Sequence, residues 1–100
     1  MKFPKECNTI TEIRNEIDVI DNQIIELLAK RFLYVKEIVR FKSNEEDVVA
    51  RKRYEEVIQK RRQWAAEQGL NPDIIETTYK TLIAYFIDEQ MKLLKNNSNK

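Results

Sequence analysis

The sequence predicts an all-α protein, a three-helix chain with a long first helix. Three observations carry that expectation. One glycine and two prolines among 100 residues leave few helix breakers. Apolar residues recur at steps of three and four along three separate stretches. No stretch alternates β-branched and polar residues as a half-buried strand does. A chain of this length predicts one domain, residues 1–100. Its helices are expected at about 10–42, 49–68 and 72–95, with a disordered polar tail at 96–100.

The first helix follows an arm, Met1 to Asn8, in which Pro4 opposes helix. Thr9-Ile10-Thr11-Glu12 is a capping box that can satisfy the first orphan N–H groups. Ile10, Ile13, Ile17, Ile20, Ile24 and Leu27 then form a heptad seam. The next seam position is Arg31, followed by Tyr34, Ile38 and Phe41. A second stripe runs from Arg14 through Ile25, Leu28, Phe32, Val35 and Val39 to Lys42. At about 1.5 Å per residue, roughly 32 residues make a rod of about 48 Å, against a radius of gyration of about 13 Å for a compact chain of this size. The rod is expected to overhang its own fold. The simplest cover for its aliphatic seam is a second copy of the chain.

Ser43 to Asp47 reads as a loop or a frayed helix start. The second helix presents Tyr54, Val57, Ile58, Arg61, Trp64 and Ala65 on its more buried face. Gly69 stands where a left-handed residue ends a helix. Asn71 and Pro72 read as N-cap and first residue of the third helix. There Ile75, Tyr79, Leu82 and Phe86 make one ridge and Ile83, Ile87 and Leu94 the next. Gln90 falls inside this apolar face.

Composition narrows the function classes. A net charge of +1 gives no global pull toward nucleic acid or membrane. The apolar runs are too short to span a bilayer and no secretory signal is visible, so a cytoplasmic protein is expected. Cys7 is the lone cysteine, and there is no histidine. A serine–histidine–aspartate triad is thereby excluded, and no zinc site or other metal is expected. An enzyme built this way must rely little on proton shuttling near neutrality, or use a strongly shifted carboxylate or lysine.

Some residues break the apolar pattern, and each has a plain and a functional reading. Arg31 on the seam is either a snorkelling side chain or a paired cation in a site. Gln90 is either a register-setting polar residue in a bundle core or a ligand contact. Lys42 lies about 16 Å along the helix from Arg31 and about 20° around it, so the two long side chains could converge on a small anion. Its plain reading is a lysine favoured near a helix C-terminus. Arg53 belongs to a basic run that is ordinarily a solvated face. Arg14 lies about 25 Å from Arg31 on the same rod. If both serve one small ligand, Arg14 must come from a partner subunit.

Several motifs together resemble a known family. They are Ile13-Arg14-Asn15-Glu16-Ile17-Asp18 with Ile20-Asp21, then Lys30-Arg31, Tyr34-Val35-Lys36 and Arg40-Phe41-Lys42. Further on come Arg53, Arg62-Gln63-Trp64-Ala65 with Gly69-Leu70, and Glu89-Gln90-Met91-Lys92. In this order and spacing the chain resembles the all-α, type II chorismate mutase family from about Pro4 to Lys95. It is most similar to the isochorismate pyruvate lyases that make salicylate for siderophores. The resemblance implies one chorismate mutase-like domain, assembled as an intertwined homodimer with two sites. Each site takes an arginine from the partner's first helix. The implied substrate-binding residues are Arg14, Arg31, Lys42, Arg53 and Gln90, with Lys42 and Gln90 also catalytic, and no cofactor. Val35, Val57 and Ile87 would be pocket walls.

Type II mutases place acidic residues near the start of the second helix to accept the ring hydroxyl. The corresponding positions here are Ala50 and Tyr54. Loss of that acceptor favours isochorismate, whose hydroxyl sits on another ring carbon, over chorismate. The implied reaction is a concerted pericyclic elimination to salicylate and pyruvate, with weak mutase activity. Two alternatives stand beside it: a free-standing chorismate mutase making prephenate, and a non-catalytic helical dimerisation module.

Overall fold

A computed structural model describes residues 2–42 and 50–98. The expected loop at Ser43 to Asp47, the expected helix start at Val49 and the last two tail residues lie outside them. The described chain contains three α-helices and no strand: α1 is Ile10–Ile38, α2 is Arg51–Glu67 and α3 is Pro72–Ser98. Two compact units divide between Tyr34 and Val35.

In the first unit the arm is not wholly extended, because Pro4–Glu6 forms a short 3-10 turn. Proline fits there because the first helical position needs no N–H donor and uses the φ that its ring fixes. The capping box forms with one shift. Thr9 Oγ1 accepts from the Glu12 N–H at 3.1 Å. The Glu12 carboxylate reaches back one residue further than expected and accepts from the Asn8 N–H at 2.8 Å. The Asn8 bond, and then Lys2 at 3.3 Å, hold the Glu12 carboxyl below its ordinary pKa. No side chain of α1 is buried, and the seam residues Ile10, Ile13, Ile17, Ile20, Ile24 and Leu27 are all exposed.

In the second unit α1 does not run on to Lys42. After Ile38 the chain tightens into a 3-10 turn, Val39–Phe41, closed by the Lys42 N–H donating to the Val39 carbonyl at 3.1 Å. Lys42 then leaves in extended conformation. Val39 is buried at this turn, which packs on α3.

The connection from α2 to α3 follows the expected local chemistry. Gly69 has φ +75°, the left-handed region where a side chain is strained. That conformation lets the Leu70 N–H reach the Ala65 carbonyl at 2.8 Å and the Gly69 N–H reach that of Ala66 at 3.1 Å, a Schellman ending. Asn71 Oδ1 then accepts from the N–H groups of Asp73 and Ile74 at 2.8 and 3.3 Å, capping α3 behind Pro72. α2 begins less regularly, with Ala50 at φ 43° and no side-chain cap.

α2 and α3 pack side by side. The core between them holds Val57, Ile58, Ala65 and Phe86, with Tyr54, Ile75, Tyr79 and Leu82 half-buried. Trp64, expected on the buried face, is 45% exposed. The Arg61 guanidinium lies 4.7 Å from the Trp64 ring and 5.6 Å from that of Tyr79. α3 continues to Ser98 rather than ending at Lys95. No glycine or proline follows Leu94 to interrupt the ladder.

A charged bridge closes the outer edge. Arg62 Nη1 meets Asp73 at 2.9 Å and Glu76 at 3.0 Å, and Glu76 also meets Lys80 at 2.7 Å. The hydrogen bond from Lys80, and after it the Arg62 contacts, hold the Glu76 carboxyl below the usual carboxylate range. A depressed carboxyl contributes stability above its unfolded pKa and loses it as pH falls through the folded one. Glu76→Gln should therefore lower the urea midpoint at neutral pH. It should also flatten the decline in stability below about pH 4.5. Urea titrations of both proteins across that range check this.

Candidate functional site

Gln90 is the polar residue that the apolar ridge of α3 carries inward. Its side chain is 6% exposed, and Nε2 donates to the Val35 carbonyl at 2.7 Å. Val35 lies in the last turn of α1, where carbonyls run out of intrahelical donors. The bond satisfies the buried amide and fixes which end of it faces α1. An amide nitrogen carries two hydrogens, so one N–H remains with which Gln90 can donate to a ligand.

The other candidates in the second unit occupy the elements around this bond. Val35 is half-buried, and Lys42, half-buried, follows the turn that packs on α3. Arg53 stands exposed in the first turn of α2, and Val57, one turn further, is buried. Ile87, half-buried, precedes Gln90 on α3 by three residues. The structure thus brings Gln90 directly to Val35 and sets the helix of Arg53 and Val57 against that of Ile87 and Gln90. Arg14 and Arg31 belong to the unit that ends at Tyr34, the first exposed and the second half-buried.

Two features were not read from the sequence. Arg62, which the sequence presents only within the Arg62-Gln63-Trp64-Ala65 motif, ties α2 to α3. Its signal was an acidic pair, Asp73 and Glu76, one turn apart on the next helix. Val39 looked like any member of the second stripe, yet it is the one buried side chain among the described residues up to Lys42. An open groove of about 580 Å³ lies beside Glu56, Lys60, Arg62 and Pro72, and none of the candidate residues lines it. Among the described residues no cluster of three or more Cys, Asp or Glu is placed to hold a metal ion, and no helix is long and apolar enough to cross a membrane.

The described residues form an all-helical frame with a buried amide donor at Gln90. The chain belongs to the chorismate mutase type II family, whose model matches residues 13–91. It is also similar to a Pseudomonas aeruginosa protein named isochorismate pyruvate lyase, at 37% identity over 92 residues, covering 92% of this chain and 91% of that relative.

The Gln90 bond has a measurable consequence. Gln90→Met keeps the length and removes the donor, leaving the Val35 carbonyl without this partner. Loss of one such bond costs about 1 kcal/mol. Chemical denaturation should register a decrease of that order, and an unchanged or raised stability would contradict the role of the bond.

Proposed function

We propose that this chain is an isochorismate pyruvate lyase, forming salicylate and pyruvate, with weak chorismate mutase activity. The observation that carries the reading is the similarity to the Pseudomonas lyase, which spans nearly the whole of both chains. The residues at Ala50 and Tyr54, where type II mutases have acidic side chains, support the same preference.

Isochorismate is a dianion with an enolpyruvyl ether. A ring hydrogen moves to the enolpyruvyl methylene as the ether C–O bond breaks. Pyruvate leaves and the ring aromatises. No external acid or base takes part, which suits a chain without histidine. The protein's work is positioning and stabilisation of developing charge. Arg31, with Arg14 from the partner, clamps the two carboxylates through planar forks of donors. Lys42 and the second N–H of Gln90 donate to the ether oxygen as negative charge grows there. Arg53 adds positive potential, and Val35, Val57 and Ile87 form walls that hold the folded conformer.

The working unit in this reading is an intertwined homodimer. Its support is the run of exposed isoleucines and leucine on α1, an apolar surface of the kind that marks an interface. The helix-rise distance between Arg14 and Arg31 makes the same demand.

Incubation with isochorismate, followed by salicylate fluorescence, tests the reaction. The lyase reading is overturned if chorismate is converted to prephenate faster than isochorismate is consumed. Lys42→Ala should lower kcat by about a hundredfold to a thousandfold while the assembly stays intact. An effect confined to KM would reduce Lys42 to a carboxylate contact.

A mixing experiment tests the shared site. Neither Arg14→Ala nor Arg31→Ala should be active alone. In a heterodimer of the two, one site holds both defects and the other neither. Activity should return in part after subunit exchange. No recovery in verified heterodimers would refute the cross-subunit arginine.

A further inference from the structure

We propose that Val39 is a positioning residue for Lys42, a buried anchor that fixes where the lysine leaves the 3-10 turn after helix α1. The inference rests on the lyase reading for the task of Lys42, and on geometry alone for the coupling.

Among the described residues up to Lys42, Val39 is the only side chain that is buried, at 5% exposure. Its neighbours Ile38 and Phe41 are 43% and 77% exposed. It sits where the α-helix changes to a 3-10 turn, and that turn packs on α3. Its carbonyl accepts the Lys42 N–H at 3.1 Å, after which Lys42 is extended at φ −105° and ψ 135°. The backbone of Lys42 is thus attached directly to the residue that is planted in the core.

A second tether lies one helical turn earlier. Val35 and Val39 are four residues apart, on one face of the helix. Gln90 and Phe86, also four apart, are both buried on α3. Gln90 holds the Val35 carbonyl, so the end of α1 is fixed by a hydrogen bond at one point and by apolar burial at the next. A helix end held at two points has a defined axial position. Lys42, three residues past the second point, inherits it.

A long, rotatable lysine gains catalytic worth only if its ammonium is held near the atom where charge develops. A misplacement of about 1 Å can cost on the order of a hundredfold in rate. Val39→Ala removes the anchor without touching a charged group. We expect kcat to fall about tenfold to a hundredfold with KM little changed. Hydrogen-exchange protection of the Lys42 amide should also drop, because its bond to the Val39 carbonyl opens locally.

The experiment compares Val39→Ala with Ile58→Ala, which also trims a buried aliphatic of the second unit, 4% exposed, but on α2 and not at the end of α1. Ile58→Ala should keep kcat and Lys42 protection at their original values below its melting temperature. In a Lys42→Ala background, Val39→Ala should lower kcat no further. If Val39→Ala does not fold, Val39→Thr keeps the volume, weakens the apolar anchor, and is read in the same way. Unchanged Lys42 protection in the Val39 variant overturns the inference whatever the substrate. So does a full multiplicative loss in the double variant. Loss of protection in a protein that does not convert isochorismate would leave the anchor in place and refute the lyase reading instead.

Discussion

The hydrogen bond from Gln90 Nε2 to the Val35 carbonyl is the constraint on which the second unit depends. It joins positions 55 residues apart and is buried at the Gln90 end. A buried amide without a partner would cost about 1 to 3 kcal/mol, more than one neutral hydrogen bond contributes. α3 can therefore slide or rotate against the end of α1 only by leaving that amide unsatisfied. An aliphatic residue at 90 would pack nearly as well in several registers. The amide specifies one, in which Val39 and Phe86 are both buried.

The same bond bears on chemistry. A chain with no histidine has no side chain whose ordinary pKa lies near neutrality. In the proposed reaction its means of catalysis are fixed cations and oriented dipoles, which act by being in place before the reaction begins. Gln90 is held by the backbone, and Lys42 starts from a turn held by the core. In the proposed reaction these two donors meet the same oxygen. Their relative position is then set by the protein frame rather than by substrate binding, and little reorganisation is left for the chemical step.

What was legible in the sequence divides by range. The capping box at Thr9, the Schellman ending at Gly69 and the Asn71 cap each depend on neighbours within five residues, and all formed where expected. The small shift from Thr9 to Asn8 as the donor to Glu12 is within the reach of a glutamate side chain. Gln90 and Arg31 were legible as departures from an apolar period. The 3-10 turn at Val39–Phe41 was not, because it answers to α3, not to its own neighbours. The left-handed Ala50 carries no local signal either, since alanine otherwise favours helix. The exposure of Trp64 on a face read as buried is a further departure, and an arginine stacks on its ring.

Arg61 and Arg62 make the point about context most sharply. They are adjacent in sequence and identical in chemistry, yet about 100° apart around α2. Arg61 turns along the face toward α3 and stacks between Trp64 and Tyr79, with its Nε buried. There a weakly hydrated, planar cation gains from ring faces what it loses in solvation. Arg62 turns to the rim and meets two carboxylates of α3. Surface ion pairs are individually weak, but these converge on Glu76, which Lys80 also holds from the same helix. Arg53 and Val57 stand on α2, and Ile87 and Gln90 on α3. Their mutual placement follows the packing of those two helices, to which Arg61 and Arg62 add contacts from outside the candidate site.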